Sequence, residues 1–171
     1  MIKIKSDREI ELMKKAGKIV GDTHNYLKKY IKPGITTKEL DKLANDFIIK
    51  NGASPSFKGY EGYPASICVS INDEVVHGIP RKDFIIQEGD IVSMDAGLIY
   101  QGYHADAART VGVGEITENA RKLIEVTRQS FFEGIRQAKQ GNHLYDISGA
   151  IGDYAESFGY GVVRDLVGHG I

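Results

Sequence analysis

The sequence predicts an α+β protein in which helices flank an antiparallel sheet. Two helix-start signals lie at residues 6–9 and 36–39, and a β-hairpin pattern follows near the middle of the chain. Helical periodicity returns after residue 117. Part of the second helical region also repeats part of the first. These observations predict a single domain over residues 1–171, with a first half at about 1–115 and a second half that begins at about 116.

Two short motifs define the first two helices. Ser6 with Glu9, and Thr36 with Glu39, each fit the capping box, in which the two side chains satisfy backbone amides of the first turn. We expect the first helix to stop at the Lys-Pro-Gly of 32–34 and the second before Gly52. Their apolar stripes are Ile10, Met13, Gly17, Val20, Leu27 and Ile31 in the first helix, and Leu40, Leu43, Ala44, Phe47 and Ile48 in the second.

The middle of the chain carries loop and strand signals. Residues 53–64 are rich in Gly, Pro and Ser and predict an irregular loop. Segments 66–71 and 74–80 predict strands on either side of an Asn-Asp turn, and 93–110 predicts a hairpin that turns at Gln101-Gly102. Helices are then expected over 118–139 and 145–158, and the last stretch, 159–171, begins like another strand.

An internal sequence repeat links the two helical regions. With a shift of 107 residues, segment 32–52 aligns with 139–159, and Lys, Gly, Asp and Gly recur at equivalent positions. This repeat predicts two related halves, each built from two helices and an antiparallel sheet. Because only twelve residues (160–171) follow the last predicted helix segment, we expect the second half to be incomplete.

Composition excludes several classes of protein. Lys and Arg (22) balance Asp and Glu (23) and are scattered, so there is no basic footprint for nucleic acid or an anionic membrane. The single cysteine, Cys68, excludes an internal disulfide and suits a reducing compartment. The opening MIKIKSDREIE has no apolar core of an export signal, and no stretch approaches the ~20 apolar residues of a membrane span. We therefore expect a soluble cytoplasmic protein.

Asp95 and Asp106 stand inside the predicted hairpin, although Asp is disfavoured in strands. With the turn at Gln101-Gly102, Asp95 faces Ala108, and Asp106 lies diagonally across on the same face with its Cα roughly 7–8 Å away. Two carboxylates at this distance can share one metal ion or a pair of ions, and a cation is the natural counter-charge for them. Gly97 and Ala108 are small, which predicts room for such ions.

The same two acids have an ordinary explanation. An Asp before Ala-Gly can start a turn, and Asp106 can form a surface ion pair of little energetic value with Arg109. His169 favours the metal site, because it lies between two glycines that let the backbone approach a ligand closely.

The remaining histidines divide into two groups. His77 ends a predicted strand and precedes Gly-Ile-Pro, a setting similar to that of His169. His104 falls on the same hairpin face as the two acids and is the second choice as a metal ligand. His24 and His143 are interpreted as structural.

Four motifs in order, GYEGYPASICVSINDEVVHGIP, GDIVSMDAG, GYHADAARTVGVG and GYGVVRDLVGHGI, resemble the type I methionine aminopeptidases. The resemblance runs from the first helix to the last residue, and the lack of a zinc-finger extension makes it similar to the short, bacterial form. It implies the pita-bread (creatinase/aminopeptidase) fold, two related α+β halves around an antiparallel sheet. A proline-dipeptidase-like relative is disfavoured by the match of GYEGYPASICVSIN.

The resemblance also implies a dinuclear metal centre. By motif, Asp106 would bridge two divalent ions, Asp95 would chelate one of them and His169 would bind the other, whereas His104 is not a ligand in that pattern. Carboxylate and imidazole donors suit Co, Mn, Fe or Zn. Two such ions lower the pKa of a bound water and polarise the scissile carbonyl.

The resemblance assigns substrate contacts as well. His77 matches a catalytic histidine that contacts the substrate and assists the reaction. Tyr60, Tyr63 and Cys68 match the lining of the pocket for the methionine side chain, and a thioether packs well against aromatic rings. By themselves, these three residues would be interpreted as ordinary loop and core residues.

One departure from the family pattern follows the GHGI motif. In the family, two Glu ligands lie beyond it, whereas this sequence ends at Ile171. The resemblance therefore implies a chain truncated after this motif, with three of the five metal ligands. It leaves open whether the 171 residues are an incomplete, inactive fragment, are completed by a second polypeptide, or form a truncated half-fold that is stable by itself.

The implied function is removal of the N-terminal methionine from nascent proteins by a metallo-aminopeptidase. Its partners would be N-terminal Met peptides and, as a further candidate, the ribosome, with no direct binding to nucleic acid or membrane. The alternative is a non-catalytic peptide- or protein-binding module on the same scaffold. Retention of Asp95, Asp106 and His169 argues against this alternative, and the truncation argues for it.

Overall fold

The structure, a computed structural model, describes residues 4–171, so the first three residues of the N-terminal segment lie outside it. The chain divides into two compact units, one up to Ile116 and one from Thr117 to Gly170. The first contains α1 (Asp7–Leu27), α2 (Thr37–Lys50), β1 (Ser54–Pro55), a 3₁₀ turn (Tyr60–Gly62), β2 (Ile67–Ile71), β3 (Ile91–Tyr100) and β4 (Tyr103–Gly112), and the second contains α3 (Glu118–Ile135) and α4 (Leu144–Ser157).

The sheet of the first unit is antiparallel and is organised around β3. Strands β1 and β2 pair with successive parts of one edge of β3, and β4 pairs along the whole of the other edge. Helices α1 and α2 cover one face of this sheet, and the apolar side chains between them form the core. The α+β class with an antiparallel sheet is therefore confirmed, and the two helices of the first unit cover one face of that sheet.

Both predicted capping boxes are present at the helix starts. Ser6 and Thr36 cap α1 and α2, and the carboxylates of Glu9 and Glu39 accept hydrogen bonds from the backbone of the cap residues at 2.7 and 2.8 Å. The apolar stripe of α2 is confirmed, with Leu40, Ala44 and Ile48 fully buried. The stripe of α1 is wrong at its start, because Ile10 is 40% exposed.

Two buried polar side chains join the helices to the sheet. His24 of α1 makes a 2.7 Å hydrogen bond through Nε2 to the carbonyl oxygen of Ala107 in β4. Asp41 of α2 accepts hydrogen bonds from the backbone amides of Ser66 (2.7 Å) and Ile67 (3.4 Å), which fixes the start of β2. The interpretation of His24 as a structural residue agrees with this contact.

The predicted strand over 74–80 is wrong. This segment has no strand conformation, and His77 has a left-handed backbone with φ of 61°. The amide of Val69 donates to the carbonyl of Gly78 (2.9 Å), but the ladder does not continue because the chain turns at His77. The β-branched pair Val75-Val76 before His-Gly is typical of a strand, but the backbone turns at His77.

Other element boundaries also differ from the prediction. Helix α1 ends at Leu27 and α3 at Ile135, each about four residues early, because turns with i to i+3 bonds replace the last helical turn. The loop 53–64 contains the short β1 and the 3₁₀ turn, which the sequence did not predict. The strand expected at the start of 159–171 is wrong, since the described residues 160–171 contain no strand.

The second unit consists of two helices that pack at a glycine. A Cβ placed on Gly134 of α3 would lie 2.6 Å from Cγ1 of Ile151 in α4, so the absent side chain allows the close approach. The internal repeat extends to backbone conformation, because the first and last residues of α4 each lie 107 positions after those of α2. The glycines before and after each helix share left-handed φ angles: 95° and 94° for Gly34 and Gly141, and 75° and 82° for Gly52 and Gly159.

No helix within residues 4–171 combines the length and the apolar character needed to cross a lipid bilayer.

The buried His24 predicts a pH dependence of stability. Burial lowers the pKa of His24 from its ordinary 6.5, and the nearby positive charge of Arg109 adds to this, although the hydrogen bond to Ala107 opposes it. Nδ1 is buried with no hydrogen-bond partner among the described residues, so protonation there would bury an unsatisfied donor. The unfolded chain then binds a proton more readily than the folded chain, and stability falls as the pH drops below about 6.5.

We expect urea unfolding at a series of pH values to show a lower midpoint at pH 5.5 than at pH 7.5, and to show a smaller decrease in His24→Asn. His104→Asn is the matched control, because His104 is exposed. An equal pH dependence in the wild-type protein and in His24→Asn would contradict this assignment.

Candidate active site

The uncovered face of the sheet carries both predicted acids. In β3, Val92, Met94, Ala96 and Leu98 are buried against the helices, and the alternate residues point to the opposite face. Asp95 pairs with Ala108, and Gly97 pairs with Asp106. The prediction that Asp95 and Asp106 lie diagonally on one face is therefore confirmed.

The hairpin turn sets this register. Tyr100 pairs with Tyr103, and the two turn residues Gln101 and Gly102 have φ angles of 48° and 86°. Two positive φ angles define the type I′ turn, whose twist matches that of the paired strands. A shift of one residue would move one acid onto the helix-covered face. As placed, Asp95 is half-buried and Asp106 is exposed.

Cys68 and Tyr63 lie beside the acids. Cys68 in β2 pairs with Asp95, and the hydroxyl of Tyr63 donates to the carbonyl oxygens of Ile67 (3.1 Å) and Gly78 (3.2 Å). Burial raises the pKa of the Cys68 thiol, a hydrogen bond with Tyr63 opposes this, and the negative charges of Asp95 and Asp106 raise it further. The thiol is therefore neutral at physiological pH, and both acids lie close enough to affect it.

Tyr63 is also held in its neutral form. Burial raises the pKa of its hydroxyl well above the ordinary value, and its contact with Cys68 acts in the same direction. The structure thus brings Tyr63 and Cys68 together as a neutral surface next to the acids. It leaves Tyr60, the third predicted pocket residue, 68% exposed on the 3₁₀ turn.

Phe57 is a residue of this face that the sequence reasoning missed. An ideal Cβ on Gly97 would lie 2.4 Å from Cε1 of Phe57, so the ring occupies the space that a side chain at 97 would fill. The room predicted above Gly97 is therefore taken by this ring. The only sequence signal was an aromatic residue in a loop rich in Gly, Pro and Ser, and this signal does not indicate which strand the ring covers.

His77 directly precedes Gly78, whose carbonyl oxygen accepts a hydrogen bond from the amide of Val69 in β2. The segment that carries it is held by Gly78, whose amide donates to Oγ of Ser70 at 3.0 Å. His77 is exposed and contributes to the lining of a cavity of about 410 Å³, together with Glu74, Val76, Gly78, Ile79 and Arg81. A left-handed backbone at a residue other than Gly is unusual and is often found at functional sites.

The two remaining histidine candidates occupy different units. His104 pairs with Ile99, is exposed and lies on the same face as the acids, as predicted. His169 belongs to the second unit, where it is exposed in a segment without helix or strand, and its Nδ1 lies 3.0 Å from the carbonyl oxygen of Gly170. Within residues 4–171, no group of three or more His, Cys, Asp or Glu side chains is arranged to hold a metal ion.

Comparison with known proteins gives a consistent family. The profile of metallopeptidase family M24 matches residues 11–171. The chain is 63% identical over 171 residues to a methionine aminopeptidase of Clostridium acetobutylicum and 52% identical to methionine aminopeptidase 1 of Bacillus subtilis, covering all of this chain and 68% of each relative.

Solved structures agree. The crystal structure of methionine aminopeptidase from Rickettsia prowazekii superposes with a TM-score of 0.97 at 40% identity, over 100% of this chain and 68% of that one. A Xaa-Pro dipeptidase from Bacillus anthracis has a TM-score of 0.81 at 28% identity, over 92% of this chain and 42% of that one. This order of similarity agrees with the sequence-based preference over a proline-dipeptidase-like relative.

The close packing of Gly78 generates a prediction about the His77 segment. A Cβ at Gly78 would lie 2.3 Å from the carbonyl oxygen of Val69, a backbone atom that cannot rotate away. We expect Gly78→Ala to lower the free energy of unfolding by about 1–3 kcal/mol, as overpacked sites do. Gly17→Ala in α1 is the control, because a Cβ there meets nothing within 4 Å.

Urea unfolding of both variants measures the difference. Gly17→Ala should be neutral or stabilising, by up to about 1 kcal/mol, since Ala favours a helix. Equal stability of the two variants would mean that segment 76–79 is not held against β2 in the way that the contacts indicate.

Proposed function

This chain belongs to metallopeptidase family M24 and has its pita-bread fold, and we propose that it acts in the removal of the N-terminal methionine from nascent proteins. The observation that carries the proposal is the pair Asp95 and Asp106 on one open face of the sheet, next to the neutral side chains of Cys68 and Tyr63. The relatives with the highest identity given above are named methionine aminopeptidases. Acids beside uncharged side chains suit the binding and hydrolysis of a peptide with an apolar first residue.

The proposed metal ligands are Asp95, Asp106 and His169. Carboxylate oxygens and an imidazole nitrogen fit divalent Mn, Fe, Co or Zn, and the diagonal placement of the two acids allows both to reach the same ions. We propose two such ions. When bound, they supply an activated water and polarise the peptide carbonyl.

The remaining residues bind and orient the substrate. Cys68 and Tyr63 stay neutral, so they offer a thioether side chain an apolar and aromatic surface without a competing charge. Tyr60 would complete this pocket from the 3₁₀ turn. We propose that His77, which lines a cavity of its own segment, contacts the peptide and assists proton transfer.

The cellular setting of the proposal follows from its substrate. Nascent chains carry the N-terminal methionine, so the cytoplasm is the proposed location and the ribosome is a candidate partner. The balanced surface charge of the chain gives no support for direct binding to nucleic acid.

A second candidate function is a non-catalytic peptide- or protein-binding module on the same scaffold. It is favoured by one observation, that the described residues contain no cluster of three or more metal-ligating side chains. Such a module would use the Tyr63–Cys68 surface to hold a peptide without hydrolysing it.

The proposed function predicts metal-dependent release of methionine from the tripeptide Met-Ala-Ser. With Mn²⁺ or Co²⁺ present, chromatography should detect free methionine, and Asp95→Ala and Asp106→Ala should each abolish its release. Asp22→Ala is the matched control and should be unaffected, because Asp22 lies on α1, where its half-exposed side chain pairs with Lys18. The Clostridium acetobutylicum relative serves as the positive control for the assay.

The outcomes separate the two candidates. Unchanged activity in either acid variant would end the proposed roles of these residues. Binding of Met-Ala-Ser without release, under conditions where the relative cleaves it, would favour the binding module.

Metal affinity is tested separately by calorimetric titration with Mn²⁺. We expect Mn²⁺ to bind, and its affinity to decrease by more than about tenfold in Asp95→Asn and in Asp106→Asn, because each substitution removes a carboxylate of the proposed site. Asp22→Asn should bind as the wild-type protein does. An affinity for Mn²⁺ that is unchanged in both acid variants would contradict their proposed role as metal ligands.

A further inference from the structure

His24 joins helix α1 to strand β4 at the residue next to Asp106. Its Nε2 lies 2.7 Å from the carbonyl oxygen of Ala107, and the imidazole side chain is buried, with 2% of its surface exposed. A carbonyl oxygen can only accept a hydrogen bond, so Nε2 carries a proton and is the donor. One buried side chain on α1 therefore holds a backbone atom of the strand that carries Asp106.

Strand β4 has a particular need for such a contact, because β3 is its only strand partner among the described residues. In an edge strand, alternate backbone groups point away from the neighbouring strand and need other partners. Helix α1 supplies one of these partners through His24. If this donor were removed, the carbonyl of Ala107 would be left unsatisfied, and a shift of the strand could restore a partner to it.

Two further contacts join α1 to β4, one on each side of Asp106. Three residues before it, the hydroxyl of Tyr103 donates to Oε1 of Glu9 at 2.9 Å. Three residues after it, Nη1 of Arg109 donates to Oδ1 of Asn25 at 2.9 Å. Of the side chains that make the three contacts between α1 and β4, only the imidazole in the middle is buried. It is therefore the contact least open to competition from water.

The hydrogen bond lies behind the sheet, and the carboxylate lies in front of it. The side chain of Ala107 packs against the core on the helix side, so the side chain of Asp106 points to the opposite face. A movement of β4 relative to α1 would therefore move this carboxylate relative to Asp95 on the neighbouring strand. The contact of His24 thus bears directly on the spacing of the two acids.

We propose that His24 is a positioning residue for the metal site. Through its hydrogen bond to Ala107, it holds Asp106 where both acids reach the same ions. This inference rests on the proposed function, in which Asp106 is a metal ligand. Residues that orient metal ligands without touching the metal typically change its affinity by about ten- to a hundredfold.

The test compares the affinity for Mn²⁺, measured by calorimetry, in the wild-type chain, His24→Leu and His24→Gln. Leucine is apolar and has no donor, whereas the amide nitrogen of glutamine can replace Nε2 as a donor. We expect the affinity to decrease by about tenfold in His24→Leu and to return most of the way to the wild-type value in His24→Gln. Circular dichroism establishes that each variant is folded, and His24→Met replaces His24→Leu if the latter does not fold.

Thr23→Val is the matched control, because Thr23 is the neighbouring residue on α1 and is also fully buried. Its hydroxyl donates to the carbonyl oxygen of Ile19 in the same helix at 2.8 Å. The substitution removes a buried hydrogen bond that does not involve the sheet. We therefore expect Thr23→Val to bind Mn²⁺ as the wild-type chain does, even if its melting temperature is lower.

The visible absorption of bound Co²⁺ gives a second readout, because it depends on the arrangement of the ligands around the metal. We expect the spectrum of His24→Leu to differ from that of the wild-type chain. The spectra of His24→Gln and Thr23→Val should match it. A loss of global stability alone would not produce this pattern.

The failures are distinguishable. A wild-type chain that binds no Mn²⁺, or binds it equally well after Asp106→Asn, would overturn the metal site of the proposed function, and this inference with it. Binding that Asp106→Asn weakens but a folded His24→Leu leaves unchanged would overturn the inference alone. Equal losses of affinity in His24→Leu and His24→Gln, or in His24→Leu and Thr23→Val, would also overturn it, because the hydrogen bond to Ala107 would not be their cause.

Discussion

The register of the β3–β4 hairpin is the constraint on which the candidate site depends. Side chains alternate strictly between the two faces of a strand, so the pairing of Gly97 with Asp106 is what places both acids on the same face. The turn at Gln101 and Gly102 enforces this pairing through two positive φ angles. Every other feature of the site is positioned relative to these two carboxylates.

The helices determine that this face remains open. Helices α1 and α2 both pack on the opposite face, where Val92, Met94 and Leu98 are buried. Two buried polar contacts reinforce that arrangement, because His24 binds the backbone of β4 next to Asp106, and Asp41 binds the amides at the start of β2. The polar contacts behind the sheet therefore hold the strands that present the acids and Cys68 in front of it.

Two glycines bring the surrounding loops close to the sheet. Gly78 lies so near to the backbone of β2 that any side chain would collide, and this contact holds the turn that presents His77. Gly97 plays the reciprocal part, since its missing side chain admits the ring of Phe57. In both cases a small residue fixes the position of a larger neighbour, which is how loops of irregular backbone acquire a defined geometry around a site.

The sequence alone determined the local features. Capping boxes fixed the starts of α1 and α2, the Gln101-Gly102 pair fixed the turn, and alternation along the hairpin placed both acids on one face, because each of these depends on residues close together in the chain. The resemblance to a known family was confirmed as well.

Only the tertiary structure could decide the conformation of 74–80, where packing of Gly78 against β2 overrides a strand-like pattern. The same holds for the covering of Gly97 by Phe57, because contacts between residues forty positions apart are set by the packing of a loop on a sheet and leave no periodic signal in either segment.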